Sequence, residues 1–60
     1  MWIKTIEGVL LNLDMFQDIR YNPTTNKTSV NGGYYVLAEG DYRDEIARNF
    51  QRGSKYMEVK

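Results

Sequence analysis

Apolar and polar residues alternate along residues 9–21, which read VLLNLDMFQDIRY. This period of two is typical of a β-strand, because the side chains of a strand point alternately to its two faces. On a helix the polar residues of the same stretch would spread around most of the circumference, which is unlike a surface helix. One side of the predicted strand carries, apart from Gln17, the residues Val9, Leu11, Leu13, Met15, Ile19 and Tyr21.

A continuous strand over residues 9–22 would be too long for this chain. Its length would be roughly 45 Å at about 3.3 Å per residue, whereas a compact chain of this size measures roughly 25–30 Å across. The segment DMFQD is the predicted bend, because an Asp side chain accepts a hydrogen bond from the backbone N–H two residues on. We therefore expect an interruption at residues 14–17, with Phe16 buried.

Turn signals divide the rest of the first 40 residues into strands. WIKTI and VLLNL predict an N-terminal hairpin that reverses at Glu7 and Gly8. Residues 22–33 are almost entirely polar or small and predict a loop or an exposed flap. A type I′ turn at Asn31 and Gly32 makes Lys27–Val30 a candidate strand that leads into YYVLAE.

The last third of the chain predicts a helix and a closing strand. The helix covers about residues 42–52, with Asp41 as its N-cap and Gly53 just past its end. Residues 55–59 alternate as a closing strand. The sequence therefore predicts one α+β domain over residues 1–60, an antiparallel sheet of four or five strands with one helix packed across it. The expected apolar side of that helix is formed by Tyr42, Ile46, Ala47 and Phe50.

The N-terminal pattern WIKT, IEG and VLLNLDMFQDI, followed by a polar loop, a YYVLAEG strand and a short helix, resembles a family of very small uncharacterised bacterial and phage proteins. The shared features are a glycine reversal, an apolar strand that ends in Asn-Leu-Asp, and a later isoleucine. The resemblance implies a fold and a bacterial or phage source. None of these features is a catalytic signature, so the resemblance implies no activity.

Composition narrows the chemistry that is open to the chain. Its 60 residues include no cysteine and no histidine, and eight basic residues balance eight acidic ones. Thiol and imidazole groups are therefore unavailable as nucleophiles, bases or metal ligands. The neutral charge gives no global field that would attract nucleic acid or an anionic membrane. Polar residues interrupt the N-terminal apolar run, so a cytoplasmic protein without a signal peptide or membrane span is expected.

The aspartates of the bend are the candidate metal or acid/base groups. Asn12, Asp14 and Asp18 offer oxygen ligands, but they lack the alternating ligands, central glycine and terminal glutamate of the familiar calcium loop. An acid/base pair would need a pocket of about 300 Å³ or more, which is rare in so small a domain. We expect no metal, no cofactor and no enzymatic activity, and we interpret Gly32 and Gly33 as a turn rather than a phosphate loop.

Cations and aromatic residues supply the candidate interaction sites. Arg48, Arg52 and Lys55 lie along the helix end, where they complement the helix dipole, with Asp44 placed to pair with Arg48. Alternatively these cations contact phosphates while a tyrosine stacks on bases. Tyrosine and tryptophan are favoured at protein interfaces, although they also form stabilising cross-strand pairs within a sheet. The aromatic candidates are Trp2, Tyr34, Tyr35 and Tyr56.

The sequence predicts a function in binding rather than in catalysis. The preferred hypothesis is a small protein-interaction or inhibitory module with an unidentified protein partner. The alternatives are a nucleic-acid-binding accessory protein that uses Arg48, Arg52 and Lys55, and a phage inhibitor of a host enzyme or defence system. A homodimer is also expected, because a core of this size gives little stability and the chain has no disulfide to add to it.

Overall fold

The computed structural model describes residues 1–16, 18–30 and 35–59. The described residues form six strands, one 3₁₀ turn at Leu13–Met15 and one α-helix. The α+β class predicted from the sequence is confirmed. The elements, in chain order, are β1 (Trp2–Lys4), β2 (Leu10–Asn12), β3 (Ile19–Asn22), β4 (Lys27–Val30), β5 (Tyr35–Glu39), α1 (Arg43–Gln51) and β6 (Tyr56–Glu58).

The strands form two sheets of three, with orders β2-β1-β6 and β3-β4-β5, which we call sheet A and sheet B. The predicted single sheet of four or five strands is therefore wrong. The predicted antiparallel pairing is confirmed in sheet B and between β1 and β2, whereas β6 runs parallel to β1. Helix α1 lies between sheet B and β6 in the chain, and a crossover of this kind allows a parallel strand to return.

The N-terminal hairpin is confirmed, with β1 and β2 antiparallel. Its reversal depends on Thr5, whose buried Oγ1 accepts hydrogen bonds from the backbone N–H groups of Glu7 and Val9. Gly8 has φ of 81°, a left-handed conformation that glycine adopts without the steric penalty of a Cβ.

The predicted interruption of the long strand is also confirmed, over residues 13–15, whereas Gln17 lies outside the described residues. The side chain that stabilises the turn is not an aspartate: Asn12 Oδ1 accepts the Asp14 N–H at 3.1 Å. Asp14 instead lies 3.0 Å from the α-amino group of Met1. Phe16 is half-buried against the core rather than fully buried.

The polar segment at residues 22–33 contains a second hairpin as far as it is described. Asn22 pairs with Lys27, and Asn26 closes the turn with φ of 56° while its N–H donates to the Asn22 carbonyl. Strand β4 has the predicted bounds Lys27–Val30. The expected turn at Asn31 and Gly32 lies outside the described residues, as do Gly33 and Tyr34.

Strand β5 contains a β-bulge that links the two sheets. Thr28 pairs with Ala38 but the next residue, Ser29, pairs with Val36, which leaves Leu37 as the extra residue of β5. The bulge breaks the alternation of faces, so Leu37 and Ala38 are consecutive and both fully buried. The Leu37 carbonyl accepts the Ile6 N–H at 2.9 Å, which connects the N-terminal hairpin to sheet B.

A single core lies between the sheets and the helix. Sheet A contributes Ile3 and Met57, sheet B contributes Val30 and Leu37, and α1 contributes Ile46. The full set of buried apolar residues is Met1, Ile3, Leu13, Val30, Leu37, Ala38, Ile46, Met57 and Val59.

Helix α1 ends as predicted, but only part of its predicted apolar side is buried: Ile46 belongs to the core and Tyr42 packs against it. The Gly53 N–H donates to the Phe50 carbonyl and the Ser54 N–H to the Asn49 carbonyl, which is a Schellman motif with Gly53 in the left-handed conformation. Ala47 and Phe50, predicted on the apolar side, are exposed. Asn49 takes the buried position, because its amide donates to the Glu45 carbonyl at 2.9 Å and so is satisfied without water.

The start of the helix is fixed by Thr28 rather than by a side chain at the cap position. Tyr42 occupies the N-cap and makes no side-chain capping bond; Asp41, the predicted cap, lies one residue earlier and accepts the Arg43 N–H at 3.1 Å. The fully buried hydroxyl of Thr28 donates to the Gly40 carbonyl at 2.6 Å and accepts the Tyr42 N–H at 3.0 Å. One side chain of β4 therefore holds the connection between β5 and α1.

Replacement of Thr28 by valine is expected to lower the free energy of unfolding by about 1–3 kcal/mol. Valine keeps the volume and the branched Cβ, but the Gly40 carbonyl and the Tyr42 N–H lose their shared partner. For a chain of this size each kcal/mol lowers Tm by roughly 4–8 °C. Thr25→Val, at an exposed turn residue, is the control and should change stability by less than about 0.5 kcal/mol. Equal shifts in thermal melts of the two variants would contradict this role for Thr28.

The pair of Asp41 and Arg43 is expected to make stability depend on pH in the acid range. The hydrogen bond from the Arg43 guanidinium, and secondly that from the Arg43 backbone N–H, lower the pKa of Asp41. A carboxyl whose pKa is lower in the folded state stabilises the fold above its unfolded pKa, and this contribution disappears as pH falls through the folded value. Thermal melts should show Asp41→Asn less stable than the wild type at pH 7 and the difference vanishing in acid. A difference that stays constant down to pH 2 would contradict this linkage.

Candidate functional site

The outward-facing side of sheet A is the candidate site. Trp2 on β1 is flanked by Asn12 on β2 and by Tyr56 on β6, and Lys4 is flanked in the next row by Leu10 and Glu58. Paired residues of neighbouring strands share a face, so these side chains form one surface. We call it the outer face; it consists of Trp2, Lys4, Leu10, Asn12, Tyr56 and Glu58.

Burial alternates along the strands of sheet A and leaves the outer face uncovered. Ile3 and Met57 point inward and are buried, whereas their neighbours along β1 and β6 are exposed. Trp2 is 49% exposed, Tyr56 50% and Leu10 56%. Three large apolar side chains thus lie together on a surface that no described element covers.

The charges of the outer face balance. Lys4 and Glu58 are cross-strand neighbours, and the other four members carry no charge. The Tyr56 hydroxyl donates to Glu58 Oε1 at 3.3 Å. Partial desolvation, together with the negative charge of Glu58, raises the pKa of Tyr56, so the phenol keeps its proton at neutral pH. A neutral face of this kind favours contact through apolar area rather than through charge.

The structure brings together two of the residues that the sequence suggested for interaction. Trp2 and Tyr56 come from opposite ends of the chain and pair directly. Tyr35 lies on sheet B instead, where its ring meets Phe16 edge to face at 5.6 Å between centroids. Tyr34, the remaining aromatic candidate, is outside the described residues.

The three candidate cations lie at the helix end and the strand that follows. Arg48 and Arg52 are joined by a backbone hydrogen bond at the end of α1, and Arg52 also donates to Asn49 Oδ1. Lys55 precedes β6, and its carbonyl accepts the Trp2 N–H at 2.9 Å. All three side chains are exposed. The expected pair of Asp44 with Arg48 is not among the ion pairs of the described residues, where Arg43 pairs with Asp41 instead.

Each of the two aspartates considered as metal ligands forms an ion pair with a cationic group. Asp14 contacts the α-amino group of Met1, and Asp18 contacts Arg20 Nε at 2.7 Å. Within the described ranges no three acidic residues are grouped closely enough to hold a metal ion. The two aspartates are therefore engaged with two different cations.

One feature that the sequence did not predict is an open groove of ≈ 400 Å³ beside sheet B. It is lined by Ile6, Glu7, Lys27, Val36 and Glu39. The groove arises because the bond from Ile6 to Leu37 holds the N-terminal hairpin against β5. No sequence motif indicates this contact, which joins backbone atoms of segments far apart in the chain.

Comparison with protein-family models, with curated proteins and with solved structures finds no match to this chain. Among the residues that the structure describes, no helix is both long enough and apolar enough to cross a membrane. The case for function therefore depends on the geometry of the outer face.

Proposed function

We propose that this chain is a small, non-enzymatic interaction module that binds a protein partner through the outer face of sheet A. The observation that carries the proposal is the pairing of half-exposed Trp2 with half-exposed Tyr56 on an uncovered sheet surface. Aromatic side chains of this kind bury large areas on binding and lose little conformational freedom, which is why they dominate the energy of many protein interfaces.

The chemistry of the outer face indicates the kind of partner. Its rigid strand positions offer Trp2 and Leu10 as apolar anchors, and its balanced Lys4 and Glu58 suit a partner without strong net charge. The indole N–H and the tyrosine hydroxyl add polar groups to this surface. A partner with an apolar pocket rimmed by hydrogen-bonding groups fits this surface.

Inhibition is one form that this binding would take. A module of this size can block a larger protein by covering its active or assembly surface without contributing catalytic groups of its own. The sequence resemblance to small bacterial and phage proteins supports a partner in a bacterial cell, including a host enzyme or defence protein.

Nucleic-acid binding is the alternative, with Trp2 and Tyr56 stacking on bases and cations contacting phosphates. The charge distribution gives it little support: Lys4 on the outer face is offset by Glu58, and Arg48 and Arg52 belong to the helix rather than to the sheet. Of the three candidate cations, Lys55 is the one that lies next to Tyr56.

The proposal is tested by affinity capture from bacterial lysate with matched variants. Trp2→Thr and Tyr56→Thr remove the aromatic anchors but keep strand-forming residues. Phe50→Gln removes an aromatic side chain of similar exposure from α1 and serves as the control. We expect a protein that the wild type and the Phe50 variant retain and that both strand variants lose, with affinity reduced at least about tenfold.

Because Trp2 is the only tryptophan, its fluorescence reports binding directly. Titration with the captured protein, or with a tryptophan-free fragment of it, should shift the emission to shorter wavelength as water leaves the indole. Equal capture by all variants would place the interface elsewhere. Capture that disappears after nuclease treatment would instead favour the nucleic-acid alternative.

A further inference from the structure

The outer edge of β6 offers a second interaction surface, distinct from the outer face. Lys55 and Val59 use their backbone groups to bond β1, through the Trp2 N–H and the Lys4 carbonyl respectively. In a strand the backbone groups of alternate residues point to opposite edges. The N–H and C=O groups of Tyr56 and Glu58 therefore point away from β1, toward the open side of sheet A.

Neighbouring elements cover this edge less than they cover the other sheet edges. Among the described residues no strand lies beyond β6, and β1 is the only element that contacts it extensively. On the far side of sheet A, β2 adjoins β5 across a small cleft lined by Leu11, Tyr35 and Val36 among others. In sheet B the outer strand β3 is flanked by α1. Unpaired strand edges of this kind attract another strand.

We propose that the occupant of this edge is a second copy of the same chain, paired antiparallel through β6 about a two-fold axis at Met57. In this register Tyr56 lies opposite Glu58 of the partner subunit, and Glu58 lies opposite Tyr56 of the partner subunit. Both of these residues present outward N–H and C=O groups, so each opposed pair exchanges two hydrogen bonds. The β6 edges of the two copies are therefore complementary and form four backbone hydrogen bonds with each other.

Charge and the available backbone groups favour this arrangement over the other symmetric ones. The edge has a cation, Lys55, at its start and an anion, Glu58, near its end. Parallel pairing would place each charge beside its own copy, and an antiparallel register centred on Glu58 would oppose the two Glu58 carboxylates. Like charges directly opposite each other destabilise a sheet. A register centred on Tyr56 would place Ser54 opposite Glu58, but the Ser54 N–H is already bonded to the Asn49 carbonyl. The antiparallel register centred on Met57 avoids all of these conflicts.

The product is a six-stranded sheet in the order β2-β1-β6-β6-β1-β2. A two-fold axis perpendicular to the sheet leaves both outer faces on the same side, so two pairs of Trp2 and Tyr56 would lie on one continuous surface. The pairing is closed, because each copy has a single β6 edge, and it does not propagate into a fibre. The proposal does not rest on the proposed partner protein, since the edge and the outer face are different surfaces.

A three-residue edge buries little area, so we expect a dissociation constant on the order of 100 µM. Backbone amide hydrogen exchange on the wild-type chain tests the pairing at about 10 µM and about 1 mM. The Tyr56 and Glu58 amides should exchange about fourfold more slowly at the higher concentration, as mass action removes monomer. The outward amides of Leu10 and Asn12, on the opposite edge of the same sheet, are internal controls and should not change.

A pair of variants isolates the backbone donor. Glu58→Pro removes an N–H that points away from β1, whereas Glu58→Ala removes the same carboxylate and keeps that N–H. Sedimentation equilibrium should show the alanine variant dimerising like the wild type and the proline variant monomeric throughout. If the proline variant does not fold, the exchange measurement on the unaltered chain decides.

Three outcomes would overturn the proposal: a monomer at all concentrations, a dimer that persists in folded Glu58→Pro, or concentration-dependent protection at Leu10 and Asn12 in place of Tyr56 and Glu58. A monomeric chain that still binds a protein through Trp2 would remove the dimer and leave the proposed function intact. A dimer whose outer face captures no protein would support the pairing through β6 and contradict the proposed function.

Discussion

The parallel pairing of β1 with β6 is the contact on which the candidate site depends. It brings the two ends of the chain together, so that Ile3 and Met57 enter the core side by side. The same register places Trp2 beside Tyr56 on the opposite surface. Because a strand alternates its side chains, the packing that stabilises the inner face also determines which residues the outer face presents.

The rest of the fold positions this pairing through a few hydrogen bonds. The bulge at Leu37 allows two consecutive residues of β5 to be buried. The Leu37 carbonyl also accepts the Ile6 N–H, which holds the N-terminal hairpin against β5. Thr28 connects the end of β5 to the start of α1, and the Schellman motif at Gly53 turns the chain toward β6. A chain of 60 residues has a small core, so each of these contacts is a substantial part of its stability.

Local patterns in the sequence predicted the local elements. Alternation and turn residues located the first hairpin and β4, and the limit on strand length placed an interruption at residues 14–17, which overlaps the observed turn at Leu13–Met15. The arrangement of those elements was harder to predict from the sequence. The division into two sheets depends on the bulge in β5 and on the direction in which the chain leaves α1 to form β6. Likewise Asn49 is buried because its amide donates to the Glu45 carbonyl. A hydrophobic pattern alone assigns such a polar residue to the exposed side of a helix. Trp2 and Tyr56 were each predicted to interact, but no local pattern encodes their adjacency.

The most direct test of the account is a set of nuclear Overhauser effects between β1 and β6 in solution. The structure predicts cross-strand contacts in a parallel register, with Trp2 ring protons near those of Tyr56 and the Ile3 side chain near that of Met57. Contacts of Tyr56 with Lys4 in place of Trp2, as in an antiparallel register, would contradict the account. Random-coil chemical shifts over residues 56–58 would contradict it as well, because the outer face then would not exist.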